Sequence, residues 1–141
     1  MDALCNRLYS AWQGCLTNDA GEGSVHTAAW TQLRELSAAW GVGMLDADEV
    51  LRLLQELEQY LAREVEVFQS LQPLDLETYE LGRRAVLDGL ALLAQVTARL
   101  LATPPDGWST SFDALEPLAT EGDEAIRLGR ELLEEAARLT R

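Results

Sequence analysis

The sequence predicts an all-α protein, an antiparallel bundle of four to five helices in one domain spanning residues 1–141. Three observations carry this. Leucine and alanine dominate while β-branched residues are sparse, which favours helix over strand. Two long stretches, 46–71 and 75–103, repeat apolar residues at helical spacing. Glycine and proline fall mostly between such stretches, and no run alternates with period two over a useful length. At 141 residues the chain can bury a core without disulfides or metals.

The first expected helix runs from Asp2 to about Thr17. Leu4, Leu8, Ala11 and Cys15 share one face, with Cys5, Trp12 and Leu16 beside it. Asn18 to Gly23 reads as a loop. Ser24 can cap a second helix that runs to Trp40, with Ala29, Leu33, Leu36 and Trp40 facing inward. Gly41 is expected to end it in a left-handed conformation. The apolar loop to Leu45, with Val42 and Met44, is expected to fold back onto the core.

The third helix carries the clearest start signal. Asp46 and Glu49 form a capping-box pair, and Leu45 with Val50 has the spacing of a hydrophobic staple. Val50, Leu54, Leu57, Leu61, Phe68 and Leu71 then form an apolar seam that Glu64 interrupts. Pro73 ends the helix and Asp75 is expected to cap the next. That fourth helix carries Leu76, Tyr79, Val86, Leu90, Leu93, Val96 or Thr97, and Leu100. It is apolar around much of its circumference, so it is expected at the centre of the bundle. Folding this hairpin brings Glu64 level with Leu81 to Arg84, and predicts a polar layer in which Glu64 pairs with Arg83 or Arg84.

Thr103 to Ser109 has two prolines and a glycine and reads as a linker, with Trp108 in it. The last helix is expected to have an irregular start, because Pro117 sits one residue after the Asp113–Glu116 capping pair. Within it Gly122, Gly129 and Ala136 recur every seven residues. Glycine inside a helix costs about 1 kcal/mol against alanine, so this line implies close packing against another helix, in the chain or across a homodimer.

The net charge is −13, and all eleven basic residues are arginine. Lysine Schiff-base and lysine general-base chemistry are thereby excluded. Residues 41–80 hold ten acids against two arginines. Such a surface repels nucleic acid and anionic membranes and attracts basic partners. Cys5 and Cys15, about 15 Å apart on one helix, are too distant to pair. They suit a reducing compartment, and with no secretory signal or membrane span in the sequence the expected location is cytoplasmic.

No catalytic constellation emerges. His26 is the only histidine, and the residue three before it is Gly23, so the Glu-x-x-His motif of bundle metal sites is absent. Glu77 with Glu80 and Glu131 with Glu134 place carboxylates on common faces, with arginines close by. Asp46 to Glu49 lacks the glycine and distal glutamate of a calcium loop. No cofactor is expected. Trp12, Trp30 and Trp108 are the candidate partner-binding residues, since tryptophan is enriched at interface hot spots. The expected function is therefore a non-catalytic protein-interaction module: an adaptor, assembly factor or chaperone-like subunit, expected as a homodimer. Two alternatives stand beside it, an acidic nucleic-acid mimic that inhibits a basic binding protein, and a carboxylate metal-binding bundle.

Overall fold

The computed structural model describes residues 28–71 and 76–139. Among them are four α-helices, α1 (Ala28–Gly41), α2 (Ala47–Gln69), α3 (Glu77–Leu101) and α4 (Trp108–Leu139), with a 3-10 turn at Pro105–Gly107. The helices pack on one another as an all-α bundle. The expected first helix, with Trp12 and both cysteines, lies outside the described residues, as do His26, the Gln72–Leu74 turn and Asp75.

α2 follows its sequence closely. The Asp46 carboxylate accepts from the Glu49 N–H at 2.8 Å, and the Glu49 side chain accepts from the Asp46 N–H at 3.1 Å. The seam from Val50 to Leu71 is buried throughout, Glu64 included. A strip this continuous buries one face of the helix, and its hydrophobic burial outweighs the modest intrinsic preference of a 23-residue helix for its fold.

α3 lies between α2 and α4, and its closest partner is α4. Two glycine pairs explain the closeness. A side chain on Gly82 would lie 2.9 Å from the Gly129 carbonyl oxygen, and one on Gly129 would lie 2.6 Å from that of Gly82. Gly89 and Gly122 stand in the same reciprocal relation, at 2.5 and 2.9 Å. The seven-residue spacing on α4 thus meets a seven-residue spacing on α3, antiparallel, with backbone against backbone. Gly129 and Ala136 are both buried. The close packing expected of this line is therefore used inside the chain at Gly122 and Gly129, and with it goes the reason the line gave for a homodimer.

Four expectations are corrected. The linker expected over Thr103 to Ser109 ends sooner, at Gly107, and the last helix has no irregular start: α4 is continuous from Trp108, with Pro117 inside it. Proline there forfeits the bond to the Asp113 carbonyl, at a cost of about 3 kcal/mol. Burial of Trp108, Phe112, Leu115 and Ala119 at helical spacing offsets that loss. At the start of α3 the cap position is Leu76, without a side-chain cap bond. The left-handed residue after α1 is Gly43, at φ 76°, and not Gly41. Finally, Val42 and Met44 do not fold back onto the core. They are 73% and 75% exposed.

Candidate functional site

The surface of interest is the elbow between α1 and α2. α1 continues to Gly41 and is then closed by a pair of backbone bonds. The Gly43 N–H donates to the Trp40 carbonyl at 3.1 Å, and the Met44 N–H donates to the Ala39 carbonyl at 2.9 Å. These are the two bonds of a Schellman closure, which needs a left-handed residue at its turn, and Gly43 supplies it. Two residues later Asp46 begins the capping box of α2. The elbow is thus fixed at both ends by backbone bonds, and Val42 and Met44 project from it into solvent.

Carboxylates surround this apolar tip. Asp46 and Asp48 are exposed in the first turn of α2, and Glu49 is half-buried there. A groove of about 480 Å³ runs along the seam between α1 and α2, from Ala39 and Leu45 beside the tip. Leu36 and Leu57 form its floor, and Leu53 and Tyr60 its half-buried sides. Gln32, Glu35, Glu56 and Arg63 make its polar rim. A second, smaller cavity of about 210 Å³ lies between α1 and α4, lined by Trp30, Leu33, Val96, Phe112 and Leu115, with Asp113 and Glu116 at its edge.

Trp108 and Trp30 are placed differently from expectation. Trp108 is fully buried at the start of α4, and its indole N–H donates to the Leu100 carbonyl at 3.0 Å. Trp40 meets it edge to face, with ring centroids 4.9 Å apart. Trp108 therefore locks the end of α3 to the start of α4 and offers no surface to a partner. Its helical spacing with Phe112 and Leu115 draws it into the core despite the prolines before it. Trp30 is also buried. Its N–H donates to Thr120 Oγ1 at 3.4 Å, and the Arg34 guanidinium lies 4.7 Å from its ring centroid. Trp30 joins α1 to α4, so it too serves packing first.

Of the residues expected in a Glu64–Arg83 or Glu64–Arg84 layer, Glu64 is buried as the seam required, and Arg83 reaches the end of α2. Its Nε donates to the Phe68 carbonyl at 2.8 Å and its Nη2 to the Gln69 carbonyl at 3.1 Å, while Glu80 lies 3.9 Å away. α2 has no basic residue in its last turn. Arg83 supplies from the next helix the positive charge and the donors that a helix C-terminus lacks. Arg84 is exposed.

Among the described residues no three of His, Cys, Asp and Glu come together as a metal-binding group, and no helix is long and apolar enough to cross a membrane. No family model, curated protein or solved structure matches this chain.

Proposed function

We propose that the protein is a non-catalytic protein-interaction module, an adaptor or chaperone-like subunit, which offers the α1–α2 elbow to a basic partner. The observation that carries this reading is the exposure of Val42 and Met44 together on a turn held by backbone bonds. Scattered single apolar residues on a surface need no explanation. Two large ones on a rigid tip, continuous with a groove floored by leucine, form a preorganised apolar anchor. Methionine suits such a surface because its flexible, polarisable side chain adapts to what it meets. The carboxylates of Asp46, Asp48 and Glu49, just after the tip, favour a partner with lysine or arginine at its edge, and steer its approach.

The test is capture of partners from extracts of the protein's own cells by the tagged wild-type chain and by the Val42→Ser/Met44→Ser variant, at low and high salt. A partner seated on the apolar tip survives high salt and is lost with the variant. A partner that both chains retain equally would reject the elbow as the binding surface. A nucleic-acid-binding protein released from both chains by salt would move the reading to acidic mimicry.

A further inference from the structure

We propose that the face of the α3–α4 pair turned away from α1 and α2 seats a second copy of this chain. The inference is independent of the elbow reading, because the elbow joins α1 to α2 and lies on neither of these helices.

Helical geometry exposes the face. Each residue turns a helix by about 100°. On α4, Ala119 lines the cavity against α1, and Leu128, nine residues on, points about 180° away from it. On α3, Arg83 bonds to the end of α2, and Leu81 points about 160° away from Arg83. Leu81, Leu128 and Leu139 are accordingly 47%, 53% and 59% exposed. The half-buried Leu92 and Leu132 continue the two stripes inward to the glycine crossing. The Leu132 Cβ lies 2.9 Å from a side chain built on Gly82, and the Leu92 Cβ 3.2 Å from one built on Gly122. Single exposed leucines are ordinary, but stripes that meet across two adjoining helices make a contiguous apolar patch, and such patches mark interaction sites.

Charge selects a second copy as the cover and sets how it lies. Arg84 stands two residues after Gly82, and Glu124 and Glu131 two residues after Gly122 and Gly129. Two residues turn a helix by about 200°, so Arg84 marks the outer edge of α3 and the two glutamates the outer edge of α4. All three are exposed. A two-fold axis running along the helices lays α3 of each copy against α4 of the other, antiparallel, and closes a four-helix bundle from two hairpins. The glycine pairs, Gly82 with Gly129 and Gly89 with Gly122, fix which levels match. They set Arg84 between Glu124 and Glu131 of the second copy, and symmetry repeats the match on the other side. The other two-fold arrangement, α4 on α4, sets one acidic edge against another. Size fits as well. A face two helices wide and as long as the 25 residues of α3 covers about 700 Å² per chain, near the ~800 Å² of a standard interface. One contact opposes the pairing: the exposed Asp88, one turn after Arg84, falls level with Glu124 of the second copy.

The test is the monomer–dimer equilibrium of the full chain, followed by sedimentation equilibrium over about a hundredfold range of concentration. The wild-type chain should dimerise as concentration rises. Leu128→Asp, at an exposed position, should keep its helical content and weaken the dimer roughly tenfold or more. Asp88→Asn should tighten it, because it removes the opposing carboxylate. Arg84→Glu should weaken it, and Glu124→Arg in the same chain should restore it. That rescue works only between copies, since the two residues lie on opposite outer edges of one hairpin. Val42→Ser/Met44→Ser should leave the dimer unchanged, which separates this face from the elbow. A monomer at every concentration, or a dimer that Leu128→Asp leaves intact, would overturn the proposal. So would a dimer that Asp88→Asn weakens, one that the elbow variant abolishes, or an Arg84→Glu loss that Glu124→Arg fails to restore.

Discussion

Gly89→Ala is the sharpest perturbation of the fold. In an open helix this change stabilises, because alanine has the better helix propensity by about 1 kcal/mol. Here the new methyl would lie 2.5 Å from the Gly122 carbonyl oxygen, 2.6 Å from Ile126 Cγ1 and 2.9 Å from the Ile126 backbone nitrogen. Two of those three atoms belong to backbone and cannot rotate aside. Overpacking costs about 1–3 kcal/mol, and rigid neighbours put this site at the upper end. The expected net loss is about 1–2 kcal/mol, or a fall in Tm of about 3–7 °C for a chain of this size. Urea unfolding followed by far-UV circular dichroism measures it, with an unchanged m-value showing that the unfolded state is the same. Gly129→Ala should behave alike, since Val86 Cγ2 and the Gly82 carbonyl oxygen lie 2.5 and 2.6 Å from its added methyl. Gly122→Ala should cost less, because two of its three nearest atoms are side-chain atoms at 3.2 Å. Gly41→Ala is the control: nothing lies within 4 Å of the added methyl, and the change should be neutral or slightly stabilising. If Gly89→Ala stabilised the protein as much as an open helical site allows, the close α3–α4 crossing would be refuted.

Three further substitutions probe separate joints. Gly43→Ala should destabilise by about 1 kcal/mol, because φ is 76° there and a Cβ is disfavoured in that region; thermal unfolding equal to wild type would contradict the Schellman closure. Arg83→Ala should cost about 1–2 kcal/mol through two lost bonds to the end of α2, with Arg83→Lys recovering part of it, and urea midpoints for the three chains give the comparison. Trp108→Phe should cost about 1–3 kcal/mol, since it removes the bond to Leu100 and leaves a space beside Trp40. A Trp108→Phe chain as stable as wild type would show that this joint contributes nothing.

The parts of the fold legible in the sequence were those with dense local signals. The seam of α2 and its capping box are both local patterns, and both appear as read. The line of Gly122, Gly129 and Ala136 announced a close packing partner, but the partner was settled by non-local geometry. Gly82 and Gly89, seven residues apart on α3, carried the matching signal and were hidden by the apolar residues around them. Pro117 misled because the local cost of a proline is visible in sequence, whereas the tertiary burial that outweighs it is not. Arg83 was placed near the right level, but its bonds to the end of α2 were not foreseen, since carbonyls at a helix end leave no trace in the sequence. For the candidate site, tryptophan count pointed to Trp30 and Trp108, which the core absorbs. Val42 and Met44 were read as inward because they are apolar, whereas the turn at Gly43 sets their direction.

The central functional claim rests on those two side chains. Its most direct test is the Kd of a captured partner for the wild-type chain and for the Val42→Ser/Met44→Ser variant, measured at low and high salt by titration calorimetry. The account predicts that the variant keeps its helical content and binds at least tenfold more weakly at both salt concentrations, a loss of about 1.4 kcal/mol or more. Equal affinity of the two chains at both salt concentrations would contradict it.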